Sequence, residues 1–222
     1  MEKRLTRRSS LVALGSLAAA AAGWRTDDAG AGPAAVASGA VTCVLTPEMT
    51  EGPYYVPDEA VRRDITEGLS GTPLALRLTV VNASTCQAIA GAKVDVWHAN
   101  ALGVYSGVQG NSGTFMRGVQ PTNAHGLAQF ETIYPGWYAG RTVHIHVKVH
   151  LGGNVVHTGQ LFFPDSLSDS VYRKAPYSTR PGRDVRNATD AIFRNGGSRS
   201  MLKLSRSGAE YVGTIALGVH RA

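Results

Sequence analysis

Residues 143–150 read Val-His-Ile-His-Val-Lys-Val-His, apolar and polar in strict turn. A period of two belongs to a β-strand. Val143, Ile145, Val147 and Val149 therefore share one face, and His144, His146, Lys148 and His150 the other. Such a segment needs a sheet with an apolar layer beneath it. Leu74, Leu76, Leu78 and Val80 alternate in the same way with Ala75, Arg77 and Thr79. Val94 and Val96 alternate with Lys93, Asp95 and Trp97, and residues 126–131, 158–163 and 211–219 supply three further candidate strands. Asn82-Ala83-Ser84, Pro135-Gly136 and Gly152-Gly153-Asn154 are the turn signals between them. The pattern predicts an all-β fold, an antiparallel two-sheet β-sandwich with long loops and little helix. Short helical turns are expected only around residues 58–65 and 184–193.

Composition narrows the class. Charged residues are 17% of the 222, against roughly 25% in an average domain, which excludes a charge-laced coiled coil. No apolar run after the N-terminus is long enough to span a bilayer as a helix. The net charge is +6, but Lys3, Arg4, Arg7, Arg8 and Arg25 lie in the N-terminal segment. The excess left in the body is too weak to indicate nucleic-acid binding.

Residues 1–22 have the form of an export signal: a basic start, then an apolar run from Leu11 to Ala22, of signal-peptide length. Arg7-Arg8 resembles a twin-arginine signal, the competing reading being an ordinary secretory leader. Residues 1–40 are thus expected to be a signal and flexible linker, and residues 41–222 a single domain that works outside the cell. In an exported chain, Cys43 and Cys86 are expected to pair. Asn82-Ala83-Ser84 and Asn187-Ala188-Thr189 fit the glycosylation pattern, and beside a bacterial-type leader they read as chance.

His144 and His146 project from one strand face with Cα atoms about 7 Å apart, a spacing that suits two ligands of one metal. Because Lys148 and His150 continue that face, a solvated polar face is the competing reading. No Asp or Glu is adjacent in sequence, and paired cysteines are unavailable. Tyr138 lies six residues before His144, and Tyr105 follows the segment that ends at Asn100. Imidazole with phenolate suits Fe(III) better than zinc, which favours thiolate and imidazole. Arg141 would place a cation beside such a site.

Thr50-Glu51-Gly52-Pro53-Tyr54-Tyr55, Asp95-Val96-Trp97-His98-Ala99-Asn100, Gly103-Val104-Tyr105, Pro135-Gly136-Trp137-Tyr138, Arg141-Thr142-Val143-His144-Ile145-His146 and Gln160-Leu161-Phe162-Phe163 occur in that order. Taken together, they resemble the intradiol ring-cleavage dioxygenases, a family that includes catechol and protocatechuate dioxygenases. The resemblance runs over about residues 45–220. It implies a non-haem Fe(III) held by Tyr105, Tyr138, His144 and His146. It also implies small-molecule catechols and O2 as reactants, and cleavage between the two hydroxyl-bearing carbons to a cis,cis-muconate-type product. Tyr138 matches the ligand that leaves when substrate binds. Arg141 matches an arginine that stabilises negative charge on the substrate, and Gln160 a glutamine beside the substrate ring. Tyr54 and Tyr55 match the segment at the pocket mouth, with an aromatic anchor as the equal alternative for both. Tyr134 reads as core and His98 as structural, while His125, His157 and His220 read as turn or end residues without a role.

Two departures stand out. Only Ala139 and Gly140 separate Tyr138 from Arg141, where many cytosolic relatives have a longer connection, which implies a more open site. The helical dimerisation domain of the cytosolic catechol enzymes has no counterpart here, so that mode of dimer is not expected.

Overall fold

The structure, a computed structural model, describes residues 44–220. The leader and linker expected over residues 1–40, and Cys43, lie outside the described residues. In the described residues eight strands form two four-stranded sheets: β1 (Pro73–Asn82), β2 (Lys93–Trp97), β3 (Arg117–Pro121), β4 (Leu127–Ile133), β5 (His144–Leu151), β6 (Asn154–Phe162), β7 (Lys203–Ser207) and β8 (Glu210–Val219). One sheet has the order β4-β1-β8-β7 and the other β3-β2-β5-β6. Among the described residues, helix is confined to α1 (Asp165–Val171), α2 (Ala191–Arg194) and three 3-10 turns. No described helix is long and apolar enough to cross a membrane.

The sandwich follows from the alternation. Leu74, Leu76, Leu78 and Val80 of β1 are fully buried, and so are Val94, Val96, Ile145, Val147, Val149 and Leu161 of the opposing sheet. These residues belong to one continuous apolar core. Each buried aliphatic side chain contributes about 1.5–3 kcal/mol relative to exposure, so the two inner faces fix the register of every strand that carries them.

Three features differ from the sequence reading. β1 and β8 pair in parallel, with Leu74 opposite Tyr211 and Asn82 opposite Val219, so one sheet is mixed while every other strand pair is antiparallel. β3 and β7 are additional strands. Residues 58–65 form no helix; Val61 and Asp64 instead make isolated bridges to Val119 and Glu131.

The outer face of the second sheet is the one that matters for chemistry. Its registers place Trp97 opposite His146 and His146 opposite Gln160, a row across β2, β5 and β6. That face is not solvated: His144 is 3%, His146 1% and Lys148 5% exposed. Part of the cover is the strap of residues 50–55. Glu51 pairs with Lys148, and a side chain at Gly52 would come within 3.4 Å of His146 Cε1.

Candidate metal centre

Strand β5 presents His144 and His146 side by side, and their Nε2 atoms lie 3.1 Å apart. His144 Nδ1 is 2.7 Å from the carbonyl oxygen of Thr142. That oxygen can only accept, so Nδ1 carries the proton and Nε2 offers a lone pair. The Tyr138 hydroxyl approaches the same Nε2 at 3.1 Å. Two groups therefore converge on one lone pair.

Tyr138 and Tyr105 arrive on different loops that are fastened together. Asn100 Oδ1 accepts from the backbone N–H groups of Leu102 and Val104, closing the turn that leads to Tyr105. The Gly136 N–H donates to the Asn100 carbonyl at 3.0 Å. A Cβ at Gly136 would lie 2.4 Å from the Ala101 oxygen, so only glycine permits this approach. The two phenol rings consequently meet edge to face, with centroids 5.6 Å apart. The Tyr105 ring is also 6.2 Å from His146. The Tyr105 hydroxyl is buried without a hydrogen-bond partner.

Burial sets the protonation of these four side chains. It lowers His144 to about 3, helped by the neighbouring Arg141, and holds His146 well below the usual imidazole range. It also raises both phenols, Tyr105 strongly, with Tyr138 beside it adding to the effect. All four side chains then favour their neutral forms, and the Tyr105 hydroxyl and His146 Nδ1 are buried without a hydrogen-bond partner. A cation would relieve this arrangement by taking imidazole lone pairs and favouring phenolate. Among the described residues no group of three or more His, Cys, Asp or Glu comes together to hold a metal. The donors gathered here are instead two imidazoles and two phenols, a set that fits a hard ferric ion.

Cations flank the donors. Arg141 donates from Nε to Asp190 Oδ2 at 2.8 Å and from Nη2 to Gln160 Oε1 at 2.6 Å. Gln160, fully buried, donates in turn to the Thr50 carbonyl at 2.9 Å. Arg117, 1% exposed, has its guanidinium carbon 6.0 Å from the Tyr105 ring centroid and is anchored on the Ser106 carbonyl.

The candidate site residues fall into two groups. Tyr105, Tyr138, His144, His146, Arg141 and Gln160 are joined through the contacts above, and Tyr54 packs on the tyrosine pair, its ring 4.6 Å from Tyr105 and 6.0 Å from Tyr138. Tyr55 sits further back, 4.9 Å from the Trp97 ring and beneath the Lys148 ammonium at 3.6 Å. Cys86 is disulfide-bonded, while Cys43 lies outside the described residues. Tyr134 lies in the main core with its hydroxyl 2.7 Å from Ser168 Oγ. His98 is buried between the Ala99 carbonyl and Thr132 Oγ1. His157 is not at a turn: it lies inside β6 and is 1% exposed.

Sequence reasoning missed Trp97, Arg117 and Asp190 as parts of the site. Trp97 becomes visible only once β2 and β5 are placed in register. Arg117 and Asp190 carry no local signal, because their partners are distant in sequence.

A sequence model of the family described as Dioxygenase matches residues 50–182. Among solved structures, the chain is similar to an intradiol ring-cleavage dioxygenase from Tetranychus urticae. The two are 36% identical with a TM-score of 0.77, and the match covers 80% of this chain and 95% of that one. It is also similar to the dioxygenase domain of a dioxygenase–carbohydrate-binding protein fusion from Streptomyces sp. SirexAA-E, at 32% identity and TM-score 0.62, covering 80% and 99%. A chlorocatechol 1,2-dioxygenase of Pseudomonas putida is 30% identical over 139 residues, 51% of this chain and 52% of that protein. The chain thus matches about half the length of that curated relative.

Proposed function

Because this chain belongs to the intradiol ring-cleavage dioxygenases, we propose that it opens catechol-type rings with O2 between the two hydroxyl-bearing carbons, using one non-haem Fe(III). The observation that carries this reading is the convergence of Tyr138 Oη and His146 Nε2 on His144 Nε2, each at 3.1 Å, beside the unpartnered hydroxyl of Tyr105. Tyr105, Tyr138, His144 and His146 would hold the iron. When bound, Fe(III) supplies Lewis acidity and draws electron density from a chelated catecholate, preparing it for O2.

The remaining steps belong to the chain. Tyr138 as phenolate takes one of the two phenolic protons of the incoming catechol. Arg141, held by Asp190 and Gln160, offers a fixed cation where negative charge develops on the substrate. Tyr54 covers the tyrosine pair and helps exclude water. Both atoms of O2 enter the product, a cis,cis-muconate-type dicarboxylate. The leader-like residues 1–22 support action outside the cell, by the twin-arginine route.

The test is protein purified from its native host. One iron per chain, a red to burgundy colour and oxygen uptake with members of a catechol panel are expected. Colourless protein with stoichiometric zinc or copper would overturn the reading.

A further inference from the structure

The carboxylate of Asp190 gathers four N–H donors from two directions. Oδ2 accepts from Arg141 Nε and Thr142 N, both at 2.8 Å. Oδ1 accepts from Ile192 N at 2.9 Å and Phe193 N at 2.8 Å, capping α2. Asp190 is 2% exposed. A cap alone does not require this residue, since serine or asparagine serves as well. What a carboxylate adds is a charge-assisted partner for a guanidinium, with its geometry fixed.

The guanidinium of Arg141 is thereby held in one plane. Nε is used by Asp190 and Nη2 by Gln160, so Nη1 is the nitrogen without an acceptor among the described residues. The same segment holds the next residue. Asn187 Oδ1 accepts from Thr142 Oγ1 at 2.7 Å, while Asn187 Nδ2 donates to the Phe163 carbonyl at 2.9 Å. Thr142 in turn fixes the tautomer of His144 through its carbonyl. The Asn187-Ala188-Thr189 sequence is therefore not a free surface sequon: Asn187 is 9% exposed and its amide is engaged on both sides.

We propose that Asp190 is a positioning residue for ring cleavage, which fixes the Arg141 guanidinium so that Nη1 is the donor left for a substrate oxygen. This rests on the functional reading above. Displacing a group that meets developing charge by about 1 Å costs up to roughly 100-fold, so Asp190→Asn should lower kcat/KM for catechol by roughly 10- to 100-fold. Its Oδ1 can keep the α2 cap, but its Nδ2 would face the N–H donors of Arg141 and Thr142.

The deciding measurement compares iron-loaded wild type, Asp190→Asn, Arg141→Gln and the double variant by oxygen uptake with catechol, alongside crystal structures of the first two. If Asp190 acts through Arg141, the Asp190 change should cost less than about 3-fold in the Arg141→Gln background, and the structure should show the guanidinium turned away from Gln160. A merely structural role would give equal losses in both backgrounds and an unmoved Arg141; either result overturns the proposal. Should Asp190→Asn not fold, Asp190→Ser keeps a cap without the guanidinium partner and must show the same non-additive loss. Wild-type protein lacking both iron and oxygen uptake would defeat the functional reading and the link to ring cleavage with it, while the position of Arg141 in the variant structure would still show whether Asp190 orients the guanidinium.

Discussion

The indole of Trp97 lies flat on the imidazole of His146, with ring centroids 4.8 Å apart and planes 6° from parallel. The two residues are direct cross-strand partners of β2 and β5. The contact explains how His146 is oriented, since its Nδ1 is buried without a hydrogen-bond partner. Histidines that bind metals usually rely on such a partner to fix the ring; for His146, a proposed ligand, the stacked indole takes that place.

Trp97→Leu should therefore release iron to a chelator roughly 10- to 100-fold more readily, the range typical of losing an orienting contact. Trp97→Phe keeps a ring on His146 and should lie close to wild type. It forfeits no hydrogen bond, because the indole Nε1 has no partner. Chelator competition on the three proteins is the measurement. Equal release from the leucine variant and wild type would show that stacking does not hold His146.

Cys86 is disulfide-bonded and the chain has two cysteines, so a Cys43–Cys86 bond is expected. The loop it closes, about 44 residues, gives roughly 4 kcal/mol of stabilisation in the chain-entropy model. Thr46 already ties the start of the described chain to β8, its N–H donating to the Gly218 carbonyl at 2.9 Å. Reduction should lower the melting temperature and increase hydrogen exchange in residues 50–55, which carry Tyr54 and Tyr55. Mass spectrometry of denatured, unreduced protein should detect no alkylatable thiol; two alkylated cysteines would refute the bond.

The legible parts of the fold are those where one strand face is apolar and the other is not. β1 and β5 show this in full, and β5 reveals the histidine pair as well. β3 hides because its Arg117-Gly118-Val119-Gln120-Pro121 has no alternation and includes a buried charge. β7 is an almost wholly exposed edge strand, so no core pattern marks it. The parallel pairing of β1 with β8 joins segments far apart in the chain, and alternation specifies which face is buried, not which neighbour lies alongside. The same distance hides Asp190, whose contact with Arg141 spans 49 positions. Burial of the His144–Lys148 face depends on loops, and loops carry no period to read.

Acid should destabilise the fold through histidines that the site does not use. His157 and His98 are buried, and desolvation depresses each to about 4, against about 6.5 in an unfolded chain. The fold thus prefers both neutral. That stability is complete above pH 6.5 and is lost as pH falls from about 6.5 towards 4, by roughly 3 kcal/mol per group. His157 Nε2 has no hydrogen-bond partner, so His157→Leu removes the titration without breaking a bond. Unfolding free energies of iron-free protein at pH 7 and pH 4 should differ less for His157→Leu than for wild type, by about 3 kcal/mol. An identical pH dependence would mean that His157 does not resist protonation in the folded state.

The two tyrosines should separate when each loses its hydroxyl. Tyr138 is half-buried and its hydroxyl reaches His144 Nε2 at 3.1 Å, whereas Tyr105 is 3% exposed with an unpartnered hydroxyl. Tyr138→Phe should keep iron through Tyr105, His144 and His146 but lose the base that takes the substrate proton, a loss of roughly 10²–10⁴-fold in turnover. Tyr105→Phe should shift the visible band and weaken iron retention. In iron-free protein its effect should reverse. Removing a buried hydroxyl without a partner relieves a desolvation cost, so the variant should be as stable as wild type or more stable by about 1 kcal/mol. Thermal melts with and without iron, together with spectra and oxygen uptake, test both variants. Full turnover and an unchanged spectrum in Tyr138→Phe would remove Tyr138 from the ligand set. A large loss of iron-free stability in Tyr105→Phe would mean that its hydroxyl has a partner before metal arrives.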